Sequence, residues 1–135
     1  MAKKSKISMQ LGSTVKHAGK VVFFLIPSQK LTPILKEKIH NFLVENYRAY
    51  THESGVTTGY WGEGVKNTKD NHDKYLISIR DSGYDQELVA FLSDLCEETD
   101  ENCLFLIIGN EAYLVGNPSR ATTNCTEKIE NPVLR

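Results

Sequence analysis

The chain has 135 residues and a formal net charge of −1; 40% of its residues are hydrophobic, 24% charged and 9% aromatic. Near-neutrality argues against a strongly electrostatic partner such as duplex DNA or an anionic membrane, and no run approaches the roughly 20 apolar residues that span a bilayer. Three cysteines, Cys96, Cys103 and Cys125, without CxxC spacing, argue against a disulfide framework or a zinc site and fit a reducing cytoplasm.

Residues 1–20 read as a polar arm. Lys3, Lys4, Lys6, Lys16 and Lys20 fall there without an acid, and no apolar segment of leader length follows Met1, so no secretory leader is expected. Val21 to Ile26 is apolar on both faces and predicts a strand, which Pro27 ends because proline cannot donate to a ladder. Thr32 and Pro33 then supply an N-cap and a first helical position. Leu35, Ile39, Phe42, Leu43 and Tyr47 recur at helical spacing, so one face of this helix is expected on the sheet.

The stretch Gly55 to Gly62 alternates Val56, Thr58 and Tyr60 and predicts a second strand, its glycines marking a bulge or a close approach. Gly62 to Asp73 reads as a polar connection, and Lys74 to Arg80 as the third strand with Tyr75, Ile77 and Ile79 on one side. A second helix is expected to carry Leu88, Phe91, Leu92, Leu95 and Cys96 inward and to stop early in the acidic run Glu97, Glu98, Asp100 and Glu101. Cys103 to Ile108 and Glu111 to Val115 flank Gly109-Asn110, a hairpin signature with glycine first, favouring a type II′ turn. Residues 117–135 form a polar C-terminal extension to a domain over 21–116.

The order β-α-β-β-α-β-β is the ferredoxin-like plan with a C-terminal hairpin strand added. It predicts an α+β fold, an antiparallel sheet with two helices on one face. Strands apolar on both faces then need cover on the other side from the arm, the tail or a second subunit, and a homo-oligomer is the favoured expectation.

No nucleophile–base pattern is recognisable, so enzymatic activity has no positive sequence evidence. His52, Glu53, Asp70 and His72 are the residues from which a small hydrolase or lyase would be built, although Asp70, His72 and Asp73 read as a solvated hairpin loop. No metal or cofactor is expected. Gly59 to Gly64 is glycine-rich, but no helix start follows to bind phosphate; Tyr60 and Trp61 suit stacking on a base or ring, or packing the sheet. Asn117, Arg120 and Thr122 cluster after the hairpin, where arginine suits a phosphate or carboxylate and the other two add directional hydrogen bonds.

With this layout, residues 20–125 resemble the phage anti-Thoeris signal sponges, which sequester cyclic ADP-ribose isomers and blunt a bacterial immune response. The resemblance implies a ligand held between subunits by an aromatic, an asparagine and an Arg-x-Thr pair, here Phe105, Asn117, Arg120 and Thr122. It implies a non-catalytic oligomer that binds a small nucleotide-like molecule in the cytoplasm, that of the host if phage-encoded. Arg120 would take the phosphate, Asn117 and Thr122 the ribose or base, and Phe105 or Trp61 would stack on a ring. The alternatives are a protein-interaction module or inhibitor using an exposed sheet face, and a small hydrolase or lyase.

Overall fold

A computed structural model describes residues 14–63, 66–80 and 84–120. Its elements are β1 (Lys20–Pro27), a single 3-10 turn (Ser28–Lys30), α1 (Pro33–Tyr47), β2 (Thr51–Glu63), β3 (Lys66–Ile79), α2 (Tyr84–Glu98), β4 (Cys103–Ile108) and β5 (Glu111–Gly116). All strand pairs are antiparallel, in the order β2-β3-β1-β4-β5. This is the expected α+β plan, with the appended strand at one edge.

The local chemistry explains the boundaries. The Thr32 hydroxyl accepts the Leu35 N–H at 3.2 Å, with Pro33 at the start of α1, so a donor that the helix leaves unpaired is satisfied. Arg48 ends α1 with φ 73°. The second helix ends within the acidic run, at Glu98, whose carboxylate meets Lys38 Nζ at 2.6 Å, while Glu101 meets Lys30 at 3.3 Å. Lysines from α1 and the preceding 3-10 turn thus offset the unfavourable charge at that helix end. At the hairpin, Ile108 pairs with Glu111 and Gly109 takes φ 64°. Among described non-glycine residues only Arg48 and Asp100 have positive φ, so Asn110 does not, as a II′ turn requires.

Side-chain parity along the strands places the core. Val22, Phe24 and Ile26 of β1 share a face with Tyr75, Ile77 and Ile79 of β3 and with Leu104 and Leu106 of β4, all at most 5% exposed. Ile39 and Leu43 from α1 and Leu88, Leu92 and Leu95 from α2 complete this layer. The helices are joined by Phe42 and Phe91, stacked at 3.9 Å with planes 1° apart. Both helices therefore cover one face. Burying each large apolar side chain in this layer contributes about 1.5–3 kcal/mol.

The other face carries Phe23, Leu25, Leu76, Phe105, Ile107 and Leu114, all only half-buried. Lys74 Nζ sits 4.3 Å above the Phe23 ring, a cation–π contact on that face.

One expectation is corrected here. Gly62 to Asp73 is not a connection, because β2 and β3 form one long hairpin paired from Thr51↔Leu76 to Glu63↔Lys66. Backbone pairing carries this extension, and a polar composition without apolar alternation hides it from the sequence. The register shift between Glu53 and Thr57 surrounds Gly55, which has φ 61°, so this glycine marks a bulge as expected.

Gly19, just before β1, has φ 105°, and a Cβ there would lie 2.6 Å from the Ile79 carbonyl carbon and 2.8 Å from Arg80 Cα. Both obstacles are backbone and cannot rotate away. Gly19→Ala is expected to lower stability by roughly 1–3 kcal/mol, measured as the urea midpoint at unchanged slope; an unshifted midpoint would refute the close packing at this entry to the sheet.

Candidate active site

A buried polar cluster lies where β1 gives way to the 3-10 turn and β2 bulges over β3. Asp73 is at its centre. It follows Pro27↔His72 in the β1–β3 register and pairs with Ile26, which puts its side chain on the helix-covered face. The carboxylate is 3% exposed. Its Oδ1 accepts Ser28 Oγ–H at 2.6 Å and the Gly55 N–H at 2.9 Å, and its Oδ2 accepts His52 Nε2–H at 2.7 Å and Ser54 Oγ–H at 3.4 Å. Burial pushes the Asp73 pKa up, but the hydrogen bonds from Ser28, His52 and Gly55 and the attraction of His52 outweigh it, so the carboxyl lies below its ordinary value.

His52 is held on a second side by stacking. Its ring lies 4.2 Å from that of Tyr75, with planes 8° apart, and Tyr75 stacks in turn on Phe24 at 5.3 Å. Tyr50 packs against Tyr75 at 5.9 Å, and its hydroxyl is 2.8 Å from His40 Nδ1. Burial, followed by the nearby Asp73 and Tyr50, raises the Tyr75 pKa, so this ring stays a neutral platform.

The pairing decides what His52 can do. An ionised carboxylate only accepts, so the nitrogen facing it, Nε2, carries a proton. In the neutral ring Nδ1 is then left with a lone pair, on a side chain that is 26% exposed. A histidine with its tautomer set by a buried aspartate and a lone pair on its other nitrogen can serve as a general base, with the aspartate holding it in place.

Of the residues expected to build a hydrolase or lyase site, the structure gathers His52 and leaves the others apart. Glu53 is exposed and pairs with Lys74, while His72 and Asp70 pair with Thr57 and Gly59 in the long hairpin. His72 and Asp73 are not in a solvated loop, being 7% and 2% exposed within β3. His72 Nδ1 is buried without a hydrogen-bond partner. No group of three or more His, Cys, Asp or Glu among the described residues could hold a metal ion.

The residues expected to bind a nucleotide-like ligand are placed differently. Asn117 is 4% exposed, and its Nδ2 donates to the Glu101 carbonyl at 2.9 Å while its Oδ1 accepts the Ser119 N–H at 2.8 Å. Arg120 donates to Asn102 Oδ1 at 2.7 Å and pairs with Asp100. Together they fasten the chain leaving β5 onto the α2–β4 turn. Phe105 lies on the helix-free face, away from them. Trp61 lies opposite Thr68 in β2, with its side chain outside the described residues, as is the whole of Thr122. Cys96 and Cys103 are buried, and the Cys96 Sγ–H donates to the Glu101 carbonyl at 3.2 Å.

Comparison with known proteins bears on these readings. No family model matches the chain, and no curated protein does. Among solved structures, a phage SAM lyase in complex with S-methyl-5'-thioadenosine matches with a TM-score of 0.52 at 9% identity, covering 82% of this chain and 98% of that one. The two share a fold. This overturns the expectation of a non-enzymatic protein that sequesters a signal molecule, because the protein built on the same plan over nearly its whole length is a lyase. The signal-sponge resemblance gains no family match. No helix among the described residues is long and apolar enough to cross a membrane.

Proposed function

We propose that this chain is a small lyase that cleaves a carbon–sulfur bond in a nucleoside sulfonium of the S-adenosylmethionine type, with His52 as the proton acceptor. The observation that carries the reading is the Asp73–His52 pair, a base of fixed tautomer on a partly exposed side chain, in a chain that shares its fold with a SAM lyase. Fold alone does not transmit function; the reading needs the base as well.

The chemistry suits what the site holds. A sulfonium leaves as a neutral thioether, so its departure needs no acid. A proton is taken from the carbon next to the one bonded to sulfur, and it goes to His52 Nδ1. The C–H pair becomes the new C=C bond, and the C–S pair stays on sulfur. The developing imidazolium is stabilised by the Asp73 carboxylate 2.7 Å from Nε2. Incubation of the purified chain with S-adenosylmethionine should release S-methyl-5'-thioadenosine, detected by chromatography. A chain that leaves the substrate intact over a range of pH would end this reading.

A second copy is also part of the proposal. The helix-free face presents Phe23, Leu25, Phe105 and Ile107 half-buried, and an apolar sheet face of this kind gains by burial against its own counterpart. Light scattering should return a multiple of the 15.2 kDa chain mass. A monomer at micromolar concentration would refute the association.

A further inference from the structure

At the edge of the sheet opposite to His52, a groove opens between α2 and β5. A cavity of about 650 Å³ is lined there by Asp85, Val89, Ala90, Ser93, Ile108 and Tyr113. It adjoins a second, of about 400 Å³, which shares Asp85, Ile108 and Tyr113 and reaches Lys20 and Glu111. This is the size of site that takes a ring-bearing small molecule.

Two independent features say what kind. The first is exposure of apolar surface. Val89 and Tyr113, 39% and 44% exposed, are two of the five large hydrophobic residues left open to solvent among the described residues, and both line this groove. The second is charge. Among the described residues lining the groove, Asp85 and Glu111 are acidic and Lys20 is basic. The Tyr113 hydroxyl donates to Glu111 Oε1 at 2.7 Å, which holds that carboxylate beside the ring. That bond first, then the charge of Glu111, then burial and the charge of Asp85 raise the Tyr113 pKa.

We propose that this groove binds a flat aromatic ligand carrying a positive charge, its ring against Tyr113, Val89 and Ile108 and its charge between Asp85 and Glu111. An aromatic face and flanking carboxylates both attract a cation, and each discriminates against an anion of the same shape. The inference stands apart from the lyase reading, since the groove and His52 lie on opposite edges of the sheet.

The test is a titration of the full-length, isotope-labelled chain with benzamidine, followed by amide NMR shifts, with benzoate as the anion of matching size. Benzamidine should give saturable shifts at Ala90, Ser93, Ile108 and Tyr113 and none at His52. Binding should weaken about fivefold to tenfold in Asp85→Asn and survive in Tyr113→Phe, which keeps the ring. Val89→Trp should block it by filling the groove, and Tyr113→Leu should weaken it if the tryptophan variant does not fold. Equal binding of benzoate would overturn the proposal, as would shifts elsewhere or none. Nuclear Overhauser contacts between the Tyr113 ring and residues beyond Arg120 in the free protein would also overturn it, by showing that the groove holds the chain's own tail.

Discussion

His52→Ala is expected to reduce release of S-methyl-5'-thioadenosine from S-adenosylmethionine by about 10²–10⁴-fold while leaving a folded protein. The size follows from what a positioned general base contributes to a proton abstraction, and the survival of the fold follows from the position of His52, which is 26% exposed and packs with one face on Tyr75. A glutamine in the same place keeps a hydrogen bond to Asp73 but has no basic nitrogen, so His52→Gln should be as slow as the alanine variant. If glutamine restored the rate, His52 would be a brace for the bulge rather than the base. Substrate affinity separates the roles further, since loss of a base lowers the turnover number and leaves the Michaelis constant largely unchanged.

Asp73→Ala is expected to lower stability by roughly 2–4 kcal/mol, the range for stranding buried donors that had shared a charged acceptor. Ser28, His52 and Gly55 all lose the acceptor they use, and three segments separate: the end of β1, the β2 bulge and β3. The carboxyl also imposes a pH dependence. Its folded pKa lies below the unfolded value near 3.8, so its stabilisation is complete above that value and is lost as the pH falls through the lower folded one. Urea midpoints measured from neutral pH downward should therefore fall in acid for the unaltered chain and flatten in that interval for Asp73→Asn. A midpoint within about 1 kcal/mol of the unaltered chain for Asp73→Ala would mean that the cluster does not hold these segments together.

The fold was legible because its signals are local. Thr32-Pro33, the stripe from Leu35 to Tyr47, the stripe from Leu88 to Cys96 and the Gly109-Asn110 turn each report the element they belong to, and the order of elements then restricts the sheet. The long β2–β3 hairpin was missed because residues 62–73 carry no apolar alternation. Of the site, His52 was named among the residues of a hydrolase or lyase, but Asp73 was read as part of a solvated loop, for a related reason. Asp73 has the same parity as Tyr75, Ile77 and Ile79, so extending the alternation of the third strand back by one residue would have put it on the core face. A carboxylate on a core face calls for partners. The partnership of His52 with Asp73 could not be found in this way, because it depends on the pairing of His52 with Tyr75 across the hairpin, and register between strands is not written in either strand alone. Asn117 and Arg120 show the converse. Their side chains suit ligand recognition, yet the hydrogen bonds they make here close a turn of the chain itself.

The place of β1 has a consequence for how the molecule assembles. Val22 meets Ile77 on one side and Ile108 on the other, so β1 is the seam between two halves, and neither half has a complete sheet without it. Pairings so distant along the chain close large loops before they are rewarded, which slows folding. The residues after β1 must wait for β4 to be synthesised before the seam can close. Until then the apolar flank of β1 stays uncovered, the kind of surface through which incompletely folded chains associate.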